Sequence, residues 1–171
     1  MTDNVLLHLS EEPRFHQIQT ADIKPALQTA IAEARAQIAE VKAQTHTDWA
    51  NTVERLTDIT ERVGRIWGVV SHLNSVVDTP ELRAVYNELM PEITVFFTGI
   101  GQDIELYNRF KTIKNSPEFA TLSPAQQTKL NHNLRDFVLS GAEFPPEQQA
   151  ELAKLQTEGA QLSAKFSQNV L

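Results

Sequence analysis

The chain has 171 residues, 41% of them hydrophobic and 22% charged, with six glycines and eight prolines. This length suits one compact domain that buries roughly 70% of its unfolded surface, and the composition excludes a fibrous or disordered chain. The formal net charge is −7 and no basic stripe is present, so we expect no nucleic-acid partner. No apolar run reaches about 18 residues, so we expect no membrane association. Cysteine is absent, which excludes disulfides and leads us to expect a cytoplasmic protein.

The first residues show no sustained hydrophobic period and include Pro13. They also lack the basic and apolar regions of a secretory signal. We predict that residues 1–21 form an extended N-terminal arm that lies over the helices, and that residues 22–171 form one helical domain.

The first helix is predicted from about Asp22 or Pro25 to Gln44. Thr20 or Asp22 is expected to cap its N-terminus, because short polar side chains accept hydrogen bonds from the free N–H groups there. Its hydrophobic residues are spaced by four and three, which puts them on one helix face: Leu27, Ile31, Ala34, Ile38 and Val41.

The second helix has the longest periodic signal, from Trp49 to Val77, again with spacings of three and four. Thr47 is its expected N-cap. The helix should end before Pro80, because a proline pushes the preceding residue, Thr79, out of the helical region.

A third helix is expected to begin at Pro80 with Thr79 as its cap. The apolar pattern continues well beyond its first turns. Pro91 removes one backbone hydrogen bond within it and should kink it, while Gly99 and Gly101 mark a second weak point. One bent helix and two shorter helices fit this pattern equally well.

Two more helices complete the pattern. Ser123 is expected to cap the first of them, and Gly141 to follow its last turn. The second begins near Pro146 and shows no stop signal, so we interpret Leu171 as lying within a longer helix of a longer protein. The predicted fold class is all-α, a bundle of about five to six antiparallel and kinked helices.

No group of residues forms a recognisable catalytic or metal-binding motif. The five histidines are His8, His16, His46, His72 and His132. No two of them are four residues apart, and no carboxylate completes a ligand set. No G-x-S-x-G turn supplies a nucleophile. We therefore expect no catalytic residue in this chain and no metal bound by it.

Gly64 and Gly68 form a smooth row on the second helix, although each costs a helix about 1 kcal/mol relative to alanine. Such a row lets another backbone approach, and a neighbouring helix is a more common partner than a peptide. His72, Asn74 and Ser75 lie along or beside this row and could hydrogen-bond a passing peptide backbone. The alternative is that they contact another helix or solvent.

Four sequence blocks carry a family resemblance. They are 22–26 (DIKPA), 64–66 (GRI), 71–76 (SHLNSV) and 134–141 (LRDFVLSG). In this order they resemble the N-terminal helical region of the oligopeptidase A and thimet oligopeptidase family of zinc metallopeptidases. The similarity extends from about Ala21 to Leu171.

The resemblance implies that this chain is the N-terminal lobe of a larger, clam-shaped helical metallopeptidase with a deep channel between two lobes. It implies zinc as the cofactor of the parent enzyme, bound by a downstream His-Glu-x-x-His motif that is missing here, with zinc-activated water as the attacking group. It implies short peptides and the C-terminal catalytic region of the same protein as partners. His72, Asn74 and Ser75 would then belong to the channel wall, and the fragment alone should bind no zinc and be inactive.

The alternative is a stand-alone helical protein-interaction module with no enzymatic role, because amphipathic helices and an acidic surface suit it equally well. The gene beyond Leu171 discriminates the two hypotheses. An open frame that reaches a His-Glu-x-x-His helix favours the peptidase, and an immediate stop codon favours the module.

Overall fold

The computed structural model describes residues 4–9 and 13–170, with the backbone alone at position 170. Within these ranges the regular structure is helical and no residue lies in a strand, so the all-α prediction is confirmed. The six α-helices are α1 (Thr20–Ala43), α2 (Arg55–Val76), α3 (Pro80–Gly101), α4 (Ile104–Lys114), α5 (Pro124–Leu139) and α6 (Pro146–Val170). Short 3-10 turns cover Val5–His8, Phe15–Gln17 and Pro117–Thr121, and a π-helical segment, Trp49–Glu54, leads into α2.

The N-terminal segment packs on α1 through its first 3-10 turn. Leu6 is 1% exposed, and the Asn4 side-chain amide donates to the main-chain oxygen of Asp22 at 2.8 Å. Helix α1 begins at Thr20, within the predicted arm. The division of the chain at residue 21 stays a prediction, and residues 1–3 and 10–12 lie outside the described ranges.

Two of the predicted N-caps are wrong. The N-cap of α1 is Gln19, and Asp22 acts from the third helical position by accepting from the Gln19 N–H at 3.0 Å. Asp48 rather than Thr47 caps the π-helical segment, because its carboxylate accepts from the Asn51 N–H at 2.7 Å.

Thr47 has a tertiary partner instead of a capping role. Its hydroxyl oxygen accepts from the guanidinium of Arg109 on α4 at 2.8 Å. The same guanidinium donates to the main-chain oxygens of Lys42 and Gln44 at the end of α1. Arg109 therefore ties α4 to the connection between α1 and α2.

The third predicted helix is two helices. Thr79 caps α3 as expected, accepting from the Leu82 N–H at 3.2 Å. Helix α3 continues through Pro91 and ends at Gly101, so the chain leaves the helix at the glycine and not at the proline. Asp103 then caps α4 by accepting from the N–H groups of the second and third residues after it, at 2.9 and 3.1 Å.

The predicted ends of α5 are confirmed. The Ser123 hydroxyl accepts from the Gln126 N–H, and the Gln126 side chain accepts from the Ser123 N–H in return. Gly141 follows the C-cap with a φ of 87°, a left-handed conformation that favours glycine.

The core lies between α1, α2, α3 and α4, while α5 packs on α4 and α6 packs on α3. The largest fully buried side chains include Leu6, Ile23, Leu27, Ile31, Ile66, Leu89, Leu106, Phe110, Ile113 and Leu130. No residue of α6 from 146 to 169 is fully buried. Helix α6 is thus a peripheral helix that rests mainly on α3.

The row of Gly64 and Gly68 does not contact another helix in the described part of the chain. A Cβ added at either position would meet no atom within 4 Å outside the local helix backbone. The expected helix contact is therefore not made within the described residues, because α1 and α3 pack where Val63, Ile66 and Val70 are buried.

Candidate functional site

The three residues singled out in the sequence point in two directions. His72 is exposed, and its ring lies against Phe15 of the N-terminal segment with 5.4 Å between ring centroids. Asn74 and Ser75 line a groove on another side of α2. Asn74 and Ser75 both line this groove, whereas His72 lies against Phe15 and does not line it.

The groove lies between α2 and α6, with α3 as its floor, and has a volume of about 350 Å³. We call it the α2–α6 groove. The α2 side supplies Trp67, Asn74, Ser75 and, just beyond the helix, Asp78. The floor is Tyr86, Met90, Ile93 and Thr94, and the α6 side is Ala160, Ser163, Ala164, Ser167 and Gln168.

The α2–α6 groove has an aromatic and apolar base. Trp67 and Tyr86 stack in parallel across α2 and α3, with 4.7 Å between centroids and 10° between ring planes. Met90 and Ile93 beside them are 7% and 4% exposed. The opposing wall on α6 is made of small side chains, so the base stays open to the surface.

The polar atoms of the groove include both hydrogen-bond donors and acceptors. The hydroxyls of Ser75, Thr94 and Ser167 each donate to a main-chain oxygen four residues earlier, at 2.8 to 3.0 Å. Their oxygen lone pairs remain able to accept. The Asn74 Oδ1 atom is buried and has no hydrogen-bond partner.

The charged residue of the groove is neutralised locally. Asp78 adopts a φ of 46° after the end of α2, and both of its carboxylate oxygens accept from Arg83, at 3.0 and 2.6 Å. The hydrogen bond with Asp78, followed by its charge, raises the pKa of Arg83. The groove therefore presents little net charge.

A second exposed feature is an apolar stripe on the outer side of α6. Leu155, Leu162 and Phe166 are 55%, 67% and 71% exposed. Their spacings of seven and four put them on one helix face, away from the small residues that face α3. We call this face the α6 stripe. We expect Val170 and Leu171 to extend this apolar surface, and their side chains lie outside the described ranges.

The part of the chain that the structure describes adds no metal centre or membrane segment to this picture. Among residues 4–9 and 13–170, no three His, Asp or Glu side chains come together in a way that could hold a metal ion, so the residues present here do not fit a zinc site. In the same ranges, none of the helices combines the length and the apolar character that crossing a bilayer needs.

Sequence reasoning missed most of the α2–α6 groove. Trp67 lies one residue away from the main apolar series of α2, and this departure could have indicated a second face. The alternation of alanine and serine at 160, 163, 164 and 167 could have indicated a smooth face on α6. The two faces, one on α2 and one on α6, come together over α3 through tertiary packing, which no local sequence pattern indicates.

Comparison with known proteins identifies the family. The family model of the neurolysin/thimet oligopeptidase N-terminal domain matches residues 27–149. Oligopeptidase A of Haemophilus influenzae is 39% identical over 98% of this chain, and oligopeptidase A of Escherichia coli is 35% identical over 98%. A probable cytosolic oligopeptidase A of Arabidopsis thaliana is 33% identical over the whole chain.

The chain spans about a quarter of the length of these relatives, 25% of the two bacterial proteins and 24% of the plant protein. The match of the family model begins within α1 and extends to the first turn of α6. These findings confirm the resemblance that the sequence blocks indicated. The chain belongs to the neurolysin/thimet oligopeptidase family and carries its N-terminal domain, of the oligopeptidase A type.

Proposed function

We propose that this chain is the non-catalytic helical domain of a zinc-dependent oligopeptidase that hydrolyses short peptides, and that it forms one wall of the substrate channel. The proposal rests on one observation. Proteins named oligopeptidase A match this chain over nearly its whole length, whereas the chain covers only about a quarter of each of them. The stand-alone module explains the helices but not this observation.

The residues of this chain suggest which tasks belong to the N-terminal domain and which belong to the downstream catalytic region. Zinc in the parent enzyme would supply Lewis-acid activation of a water molecule, with ligands from the downstream region. The N-terminal domain would contribute a rigid helical wall that narrows access, so that short unfolded peptides enter and folded proteins do not. We propose the cytoplasm as the location, since a chain without cysteine suits a reducing compartment.

The C-terminal catalytic region of the same protein is the proposed partner of the exposed apolar surface. The α6 stripe leaves three large hydrophobic side chains more than half exposed. Contiguous apolar surface on a helix is typical of a face that another part of a protein covers.

The test compares the whole protein with residues 1–171. The whole protein should bind stoichiometric zinc and cleave a quenched fluorescent peptide, and a chelator should stop the cleavage. The 171-residue chain should bind no stoichiometric zinc and cleave nothing. Chelator-sensitive turnover by the purified 171-residue chain would contradict the proposal, as would a whole protein without peptidase activity.

A further inference from the structure

We propose that α6 is a movable strap, which is fixed at its first turn and swings its remaining length away from α3, so that the α2–α6 groove widens. Contact on the α6 stripe sets the position of the strap, so a surface on one side of the helix controls a groove on the other side. This last step rests on the proposed function, because the catalytic region is the proposed partner of the stripe. The motion itself does not depend on that partner.

The first turn of α6 is fixed by hydrogen bonds to main-chain oxygens. The side-chain amide of Gln149 donates to the main-chain oxygens of Gln102 at 3.2 Å and Gly141 at 3.0 Å. The Gln102 side chain donates to the main-chain oxygen of Gln149 at 3.1 Å in return. These bonds join α6 to the C-cap of α3 and to the turn that follows α5, so this end of the helix forms a pivot.

Two hydrogen bonds between side chains hold the rest of α6 on α3 within the described residues. The Thr98 hydroxyl donates to Gln156 Oε1 at 2.7 Å, and the Gln168 amide donates to Asn87 Oδ1 at 2.9 Å. Water replaces neutral partners of this kind at a small net cost. The part of α6 beyond the pivot is therefore held less firmly than the pivot itself.

Apolar packing does not fix this part of α6 either. No residue from 156 to 169 is fully buried. Ala160 and Ala164 on the groove side have little apolar area to bury, and the larger Leu162 and Phe166 are 67% and 71% exposed. Towards α2 the helix borders the open groove, so moving it requires no change in the core.

Swinging costs less than unwinding. Helix α6 is continuous from Pro146 to Val170, so unwinding it breaks about one backbone hydrogen bond per residue. Swinging it from α3 breaks the two side-chain bonds instead. The helix from Gln149 to position 169 is about 30 Å long, so a rotation of about 10° at the pivot moves its far end by about 5 Å.

The experiment measures distances in the 171-residue chain by double electron–electron resonance. Spin labels are attached to keto amino acids at exposed positions. One pair, at Arg35 on α1 and Lys165 on α6, reports the position of the strap. A second pair, at Glu147 and Lys165, lies within α6 and reports whether the helix stays wound, which keeps these positions about 27 Å apart.

Gln156→Ala combined with Gln168→Ala removes both side-chain bonds and leaves the pivot intact. This double variant should raise the ratio of open to closed distances by more than about tenfold, because each neutral hydrogen bond contributes about fivefold to that ratio. The distance within α6 should not change. Gln148→Ala combined with Gln161→Ala is the matched control, because it makes the same changes at two exposed positions of α6. It should leave both distances as they are in the wild type.

Two results would overturn the strap. One is an unchanged distance between α1 and α6 when both side-chain bonds are removed. The other is a loss of the fixed distance within α6, since the helix would then unwind instead of swinging.

The same labels in the whole protein test what controls the strap. If the catalytic region covers the α6 stripe, the distance between α1 and α6 should take a single value that removal of the two side-chain bonds does not change. Equal behaviour of the whole protein and the 171-residue chain would overturn control through the stripe and leave the motion in place. A whole protein that neither binds zinc nor cleaves peptides would contradict the proposed function, and the motion measured in the 171-residue chain would stand.

Discussion

Glycine has opposite effects at two positions of this chain. Gly64 lies inside α2, and an added Cβ would meet nothing within 4 Å. Gly141 has a φ of 87°, and an added Cβ would lie 2.8 Å from the Phe144 ring. The local backbone and its neighbours, rather than the residue type, therefore decide what a methyl group does.

We predict stability changes of opposite sign for the two alanine variants of the 171-residue chain. Gly64→Ala should raise the free energy of unfolding by about 0.5–1 kcal/mol, because alanine loses less backbone entropy in a helix. Gly141→Ala should lower it by about 1–3 kcal/mol through left-handed strain and the clash with Phe144. Urea denaturation measures both. A loss of stability in Gly64→Ala would mean that a neighbouring segment packs on this row.

Residue-scale features were predictable where the signal is local. Thr79, Ser123 and Gly141 were identified because a cap or a left-handed turn needs particular residues at fixed offsets. Thr47 was assigned the wrong role because its partner, Arg109, is far away in the sequence. The sequence likewise could not indicate that the Asn74 Oδ1 atom lacks a hydrogen-bond partner, because this is a property of the packed structure.

At the scale of elements, hydrophobic spacing predicted which segments are helical but not their finer geometry. Trp49, Val53 and Leu56 have spacings of four and three, which fit an α-helix, yet residues 49–54 are π-helical. The Trp49 N–H donates to Glu118 at 3.0 Å and its indole N–H donates to Glu54 at 2.7 Å. These contacts accompany the π-helical geometry, which hydrophobic spacing alone could not indicate.

Helix α6 should be the least protected of the long helices in the 171-residue chain. It has no fully buried residue from 146 to 169 and packs mainly on α3, whereas α1, of almost equal length, has eight buried residues. Amide hydrogens exchange fastest where few buried contacts oppose local opening. Hydrogen exchange followed by mass spectrometry should show α6 exchanging well before α1. Equal protection of the two helices would contradict this account.

For the whole molecule, the sequence predicted the all-α class and the family, because both depend on patterns that run along the chain. It did not predict which helices are neighbours. Helix α6 could have packed on the glycine row of α2, but it packs on α3 and leaves the α2–α6 groove open between them. Two helices pack by fitting the side-chain ridges of one into the grooves of the other, so the partner of a helix depends on both surfaces. The hydrophobic periodicity of one helix therefore cannot determine its partner.

We expect this domain to join the rest of the protein through the α6 stripe. Leu162 is 67% exposed, so Leu162→Asp should change the free energy of unfolding of the 171-residue chain by no more than about 0.5 kcal/mol. If the catalytic region covers the α6 stripe, the same change in the whole protein buries an unpaired carboxylate and should cost about 3 kcal/mol or more.

Gln161→Asp is the matched control, because it adds the same charge at the adjacent exposed position, about 100° away from the α6 stripe. It should have a small effect in both proteins. Thermal unfolding of the four variants gives the comparison, and hydrogen exchange of α6 should slow in the whole protein alone. Small, equal effects of Leu162→Asp in the two contexts would show that the stripe stays exposed, because a covered leucine cannot accept a charge without a large penalty.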